Sequence, residues 1–100
     1  MPEDPLATMR KLDPALMKHL HDTNNFIYTD GALPKKIKLL MAMAFDAAAG
    51  AEGGVRWLAG EAMKEGATKE EIAETIRVAY QLTGVGSVYA ASAALKDLLG

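Results

Sequence analysis

The sequence predicts an all-α domain of about six helices, packed as a bundle over residues 1–100. Three observations carry this. Apolar residues recur at three- and four-residue spacing, and no alternating run is long enough to make a convincing strand. Prolines and glycines fall where helices start and stop. Half of the residues are hydrophobic and only 6% are aromatic, with alanine and methionine supplying much of the rest. Such short side chains fill little volume, so the helices must approach closely or a partner subunit must supply contacts. A homo-oligomer is expected.

Taken in order, Asp4-Pro5 opens a first helix of a turn or two. Asp13-Pro14 reads as an N-cap with proline at the first helical position, where its missing N–H is no loss, and this second helix runs to about Phe26. Its Leu16 and Leu20 share one side with an aromatic end. Asn24-Asn25 and Thr29-Asp30-Gly31 break the pattern. Pro34 opens the most apolar helix, through roughly Ala49, and Gly50 stops it. A glycine-bearing corner (Gly50, Gly53, Gly54) leads into a fourth helix from Val55 to Glu65. Thr68-Lys69-Glu70-Glu71 has the form of a capping box, and Ile72, Ile76, Ala79 and Tyr80 follow at helical spacing up to Gly84. Ser87 is expected to cap a last helix ending at Leu99.

Composition excludes several functions. The net charge of −2 is spread through both signs, and the densest cationic stretch, Lys35 to Lys38, reads as a solvated helix start. No nucleic-acid or membrane surface is therefore expected. The longest apolar run, Leu39 to Phe45, is too short to span a bilayer. The opening Met1-Pro2-Glu3-Asp4-Pro5 is acidic and unlike a signal peptide, so a cytoplasmic protein is expected. With no cysteine, these residues hold no disulfide, thiolate metal site or thiol nucleophile. His19 and His21 flank Leu20 and point to different faces, so no metal site is expected from them, and surface or capping roles suit both.

Gly31-Ala32-Leu33-Pro34-Lys35-Lys36-Ile37-Lys38, then Glu65-Gly66-Ala67-Thr68-Lys69-Glu70-Glu71-Ile72, then the Gly84-Val85-Gly86 break stand in an order similar to that of a known family. The chain resembles the carboxymuconolactone decarboxylase / alkylhydroperoxidase-D-like family over most of residues 31–95. The resemblance implies an oligomeric helical bundle, as a trimer or hexamer. In the peroxide-reducing branch it also implies a Cys-x-x-Cys-x-x-x-His motif at the fourth helix and a glutamate on the preceding one. Thiolate attack, resolution by the second thiol and proton handling all need those residue types. Aligned on Gly66-Ala67-Thr68, the cysteine positions fall on Ala51 and Gly54, the histidine on Leu58 and the glutamate on Leu39. All four lack a nucleophile or a transferable proton. The decarboxylase branch retains the histidine, so Leu58 also replaces its proton donor.

The expected protein is therefore a family member without thiol peroxidase activity, with no cofactor, that binds a small hydrophobic ligand or a partner. The alternative is a cofactor-independent decarboxylase or isomerase of a small hydrophobic acid. Asp46 and Glu61 would then converge on a pocket shared with Met43 and Trp57. A third reading is that the lost site has been filled for packing alone. Asp46 stands among Met, Ala and Phe, where an ionised carboxylate needs a partner, and the plainer reading pairs it with Arg56 or Arg77. Trp57 is expected to anchor the core or an interface, and Tyr80 and Tyr89 to pack with a polar tip. Met41, Met43 and Met63 fill core gaps or line a soft pocket.

Overall fold

The computed structural model describes residues 4–99. It contains six helices: α1 Ala7–Leu12, α2 Pro14–Ile27, α3 Lys35–Ala49, α4 Glu52–Lys64, α5 Lys69–Thr83 and α6 Gly86–Leu99. No strand occurs among the described residues, as the periodicity required.

Local chemistry sets most of the ends. The Asp13 carboxylate accepts the Leu16 N–H at 2.9 Å, capping α2 beside Pro14. Gly50, at φ 74°, takes the left-handed turn that closes α3, a conformation with a Cβ penalty for other residues. Thr68 and Glu71 form both bonds of the capping box, at 3.0 and 2.9 Å. Pro34 stands one residue before α3 rather than inside it, and Asp30 reaches over the turn to accept the Lys35 N–H at 2.7 Å.

Two boundaries differ from expectation. α4 begins at Glu52, so Gly53 and Gly54 lie inside its first turn rather than in a loop. Ser87 does not cap α6. It is buried in the first turn and donates its hydroxyl back to the Gly84 carbonyl at 2.8 Å.

Helices α3 to α6 pack on one another around a core of small and branched side chains. Leu39, Leu40 and Met43 of α3 meet Val55 and Leu58 of α4, with Ile72 and Ile76 of α5 beneath. Ala59 and Ala62 of α4 and Ala91 and Ala94 of α6 are nearly inaccessible, and their size lets the backbones close up. The short α1 and the longer α2 pair with each other and lie outside this body. Met17 is the buried residue of α2, and Tyr28 at its end packs against the core. The architecture is a four-helix body with a two-helix hairpin laid over one side.

The lysines at the start of α3 do more than meet solvent. Lys35 pairs with Glu65 at 3.7 Å, and Lys36 with Glu71 at 3.1 Å. Lys38 donates to the Ile27 and Thr29 carbonyls at 3.1 and 2.9 Å. They tie α3 to the end of α4, the start of α5 and the loop after α2.

Candidate functional site

A cavity of about 460 Å³ lies between the α1–α2 hairpin and the corner where α3 turns into α4. Met17 and Leu20 of α2 and Leu58 of α4 give it apolar walls. Tyr28 and Trp57 add two rings, in edge contact with centroids 6.5 Å apart and planes at 64°. His21, Asn24 and Asp46 supply polar atoms, and Asp4 and Arg10 also line it while bonded to each other at 2.6 Å.

Two glycines make this corner possible. A side chain at Gly53 would meet the Pro5 ring at 3.0 Å, so the glycine lets the start of the hairpin seat on α4. A side chain at Gly54 would come within 2.9 Å of the Asp46 Cγ and closer still to its Oδ2. The Asp46 carboxylate occupies the space that any larger residue at position 54 would need.

That carboxylate has no hydrogen-bond or ion-pair partner among the described residues. Burial alone raises its pKa above the ordinary carboxylate value, because the charged form is deprived of water. Tyr28 is raised as well, first by its own burial and then by the negative charge of Asp46. The expected ion pair is absent for a plain reason. Arg56 is drawn to α6, where it binds Asp97 at 2.7 Å and the Ala94 carbonyl at 3.3 Å. Arg77 lines a separate groove between α5 and α6.

The structure gathers Asp46, Gly54, Trp57 and Leu58 at one cavity and leaves the other candidates outside. Ala51 is exposed and sits at the N-cap of α4. Leu39 and Met43 are 1% and 0% exposed and belong to the core, because α3 turns that face toward α4 and α5. Glu61 pairs with Lys64 at 2.8 Å, one helical turn along, and does not line the cavity. The two carboxylates therefore do not converge there.

Trp57 is 45% exposed and stands on the cavity wall rather than in the core. Tyr80 and Tyr89 are exposed along the α5–α6 groove. Met41 is exposed, while Met63 packs against the core.

His21, Asn24 and Tyr28 are wall residues that the sequence pattern does not mark as part of a site. His21 is exposed, as expected, with its ring 3.1 Å from the Asn25 amide, yet it also borders the cavity. The signal existed: Met17, Leu20, His21, Asn24 and Tyr28 follow one another at three, four, seven and eleven residues from the first. Polar residues on that stripe disguised it as a solvent face. No cluster of three acidic, histidine or cysteine residues suited to a metal ion occurs among the described residues.

Residues 14–97 match the model of the carboxymuconolactone decarboxylase family. No curated protein matches the chain at a significant level. Among solved structures, the apo form of a carboxymuconolactone decarboxylase family protein from Legionella pneumophila is similar at 36% identity. The superposition covers 91% of this chain and 81% of that one, with a TM-score of 0.78. The helix order, the punctuation around Gly31-Pro34 and Gly66-Thr68, the match over most of the length and the shared fold lead to one conclusion: the chain belongs to the carboxymuconolactone decarboxylase family.

Proposed function

We propose that this protein is a small-ligand-binding member of its family that does not act as a thiol peroxidase. The observation that carries the reading is the cavity at the α3–α4 corner, where Asp46 stands in the space a larger residue at Gly54 would fill. The family resemblance implies a cysteine at that position in the peroxide-reducing branch. Carboxylate and thiol compete for one volume, and here the carboxylate has it. Hydroperoxide reduction by a dithiol mechanism needs a thiolate and a second thiol, and these residues contain no sulfhydryl group.

A cavity of about 460 Å³ with mostly apolar walls and a few polar groups suits a small organic molecule. Trp57 is the single tryptophan and lines the cavity, so its fluorescence reports occupancy directly. The test has two arms. With a dithiol reductant, purified protein is expected to consume peroxide no faster than a heat-treated control. Titration with small amphipathic molecules is expected to give saturable changes in Trp57 emission. Peroxide turnover above the control, or no saturable change with any probe, would refute the reading. We further propose that the chain works as a homo-oligomer, a trimer or hexamer, in the cytoplasm.

A second reading is favoured by the presence of both His21, from α2, and Asp46, from α3, in the cavity lining. Asp46, whose pKa is raised by burial, and an imidazole side chain are residue types that can move protons. They would suit a cofactor-independent decarboxylase or isomerase of a small hydrophobic acid. Substrate turnover abolished by either His21→Gln or Asp46→Asn would establish it.

A further inference from the structure

Charge in the cavity is unbalanced in one direction. Asp4 and Arg10 satisfy each other at 2.6 Å, and among the described residues no lysine or arginine reaches Asp46. Beside that carboxylate, Tyr28 and Trp57 form a corner of two rings at 64°. Aromatic faces are electron-rich and attract cations, most strongly where water is excluded. Asp46, the carboxylate of the lining that is not paired with Arg10, and two rings of the same cavity form a recognition set for positive charge. Met17, Leu20 and Leu58 complete the wall with hydrocarbon.

An anion meets the opposite conditions. Arg10, the arginine in the lining, is already bonded to Asp4, and an added carboxylate or phosphate would face the charge of Asp46. A bare metal ion lacks the ligands it requires, since no suitable cluster occurs among the described residues.

We propose that the cavity takes a small organic ammonium with an apolar body, its charge held by Asp46 and by the Tyr28 and Trp57 rings. The proposal rests on the ligand-binding reading above and gives the ligand its chemical class. The hydrocarbon part lies against Met17, Leu20 and Leu58, and the ammonium supplies the positive charge that no lysine or arginine among the described residues brings to Asp46.

The test uses the full chain and three probes of nearly equal shape: 2-phenylethylammonium, 2-phenylethanol and phenylacetate. Binding is measured at pH 7 by calorimetry and by Trp57 fluorescence. The ammonium is expected to bind about tenfold or more tightly than the alcohol, a difference within the range of a charge-assisted contact, and phenylacetate most weakly. Asp46→Asn, nearly unchanged in size, is expected to remove the preference while keeping alcohol binding. Trp57→Leu is expected to weaken the ammonium more than the alcohol, and it serves as the independent variant if Asp46→Asn fails to fold. Alcohol or phenylacetate binding as tight as the ammonium would overturn the ammonium assignment and leave a ligand site standing. An ammonium preference unaltered in both variants would also overturn it. Failure of all three probes to bind would overturn the assignment together with the site.

Discussion

Asp46 and Gly54 form a steric pair, and the fold records it as directly as a hydrogen bond. Gly54→Ala places a methyl group against the Asp46 carboxyl, so stability is expected to fall by about 1–3 kcal/mol, the usual penalty for overpacking. Asp46→Ala frees that volume, and the double variant is expected to recover much of the loss. A double-mutant cycle from urea unfolding measures the coupling, and additive losses would show that the two residues do not share the space.

Asp46 also makes stability depend on pH. Burial raises its folded-state pKa above the unfolded value, near 3.8. Its favourable contribution is therefore complete below the unfolded value and is lost as pH rises through the folded one. Above that, an ionised and unpaired carboxylate destabilises the fold. Asp46→Asn stays neutral, so its melting temperature is expected to exceed that of the parent at pH 7 and to match it at pH 3. Calorimetry at the two pH values checks this. The titratable groups that share the cavity with Asp46 are His21, Tyr28 and the Arg10–Asp4 pair, and the variant leaves all four in place.

Among the helices, α5 has the most complete local signal. Its capping box satisfies two backbone donors, and Lys36 of α3 pairs with Glu71 of that same box at 3.1 Å. Thr68→Ala is expected to destabilise the protein by about 1 kcal/mol, seen as a lower denaturation midpoint with an unchanged slope. The Glu71 carboxyl is held below its ordinary value first by the Thr68 N–H and then by Lys36. Its contribution is complete above the unfolded value of 4.5 and is lost as pH falls through the folded one. The difference between the parent and Glu71→Gln is thus expected to shrink in acid. At α4 the local signal misled, because two glycines near Gly50 look like loop residues. They lie in the first turn of α4, and they are glycines because Pro5 and Asp46 crowd that turn and leave no room for side chains.

At the scale of the whole molecule, the notable property is how much apolar surface stays outside. Phe26, Phe45, Leu82 and Tyr89 are each 74–79% exposed in a chain with only six aromatic residues. A small domain buries a modest share of its surface unaided. Light scattering at micromolar concentration is expected to give three or six times the 10.7 kDa chain mass, and a monomer would contradict the proposed assembly. None of the helices among the described residues is long and apolar enough to cross a membrane, so that surface is not a spanning segment.

What the sequence determined by itself was whatever a few neighbouring residues decide: the six helices, the caps at Asp13 and Thr68, the stop at Gly50 and the lack of any thiol. Those features depend on backbone hydrogen bonds and side-chain chemistry within about a turn of helix, which spacing exposes. The tertiary structure alone decided that Leu39 and Met43 are core, that Glu61 stands apart and that α2 and the residue capping it contribute His21 and Tyr28 to the Asp46 cavity. The reason is geometric. Helical periodicity shows which residues share a face, but the rotation and placement of neighbouring helices determine what that face meets.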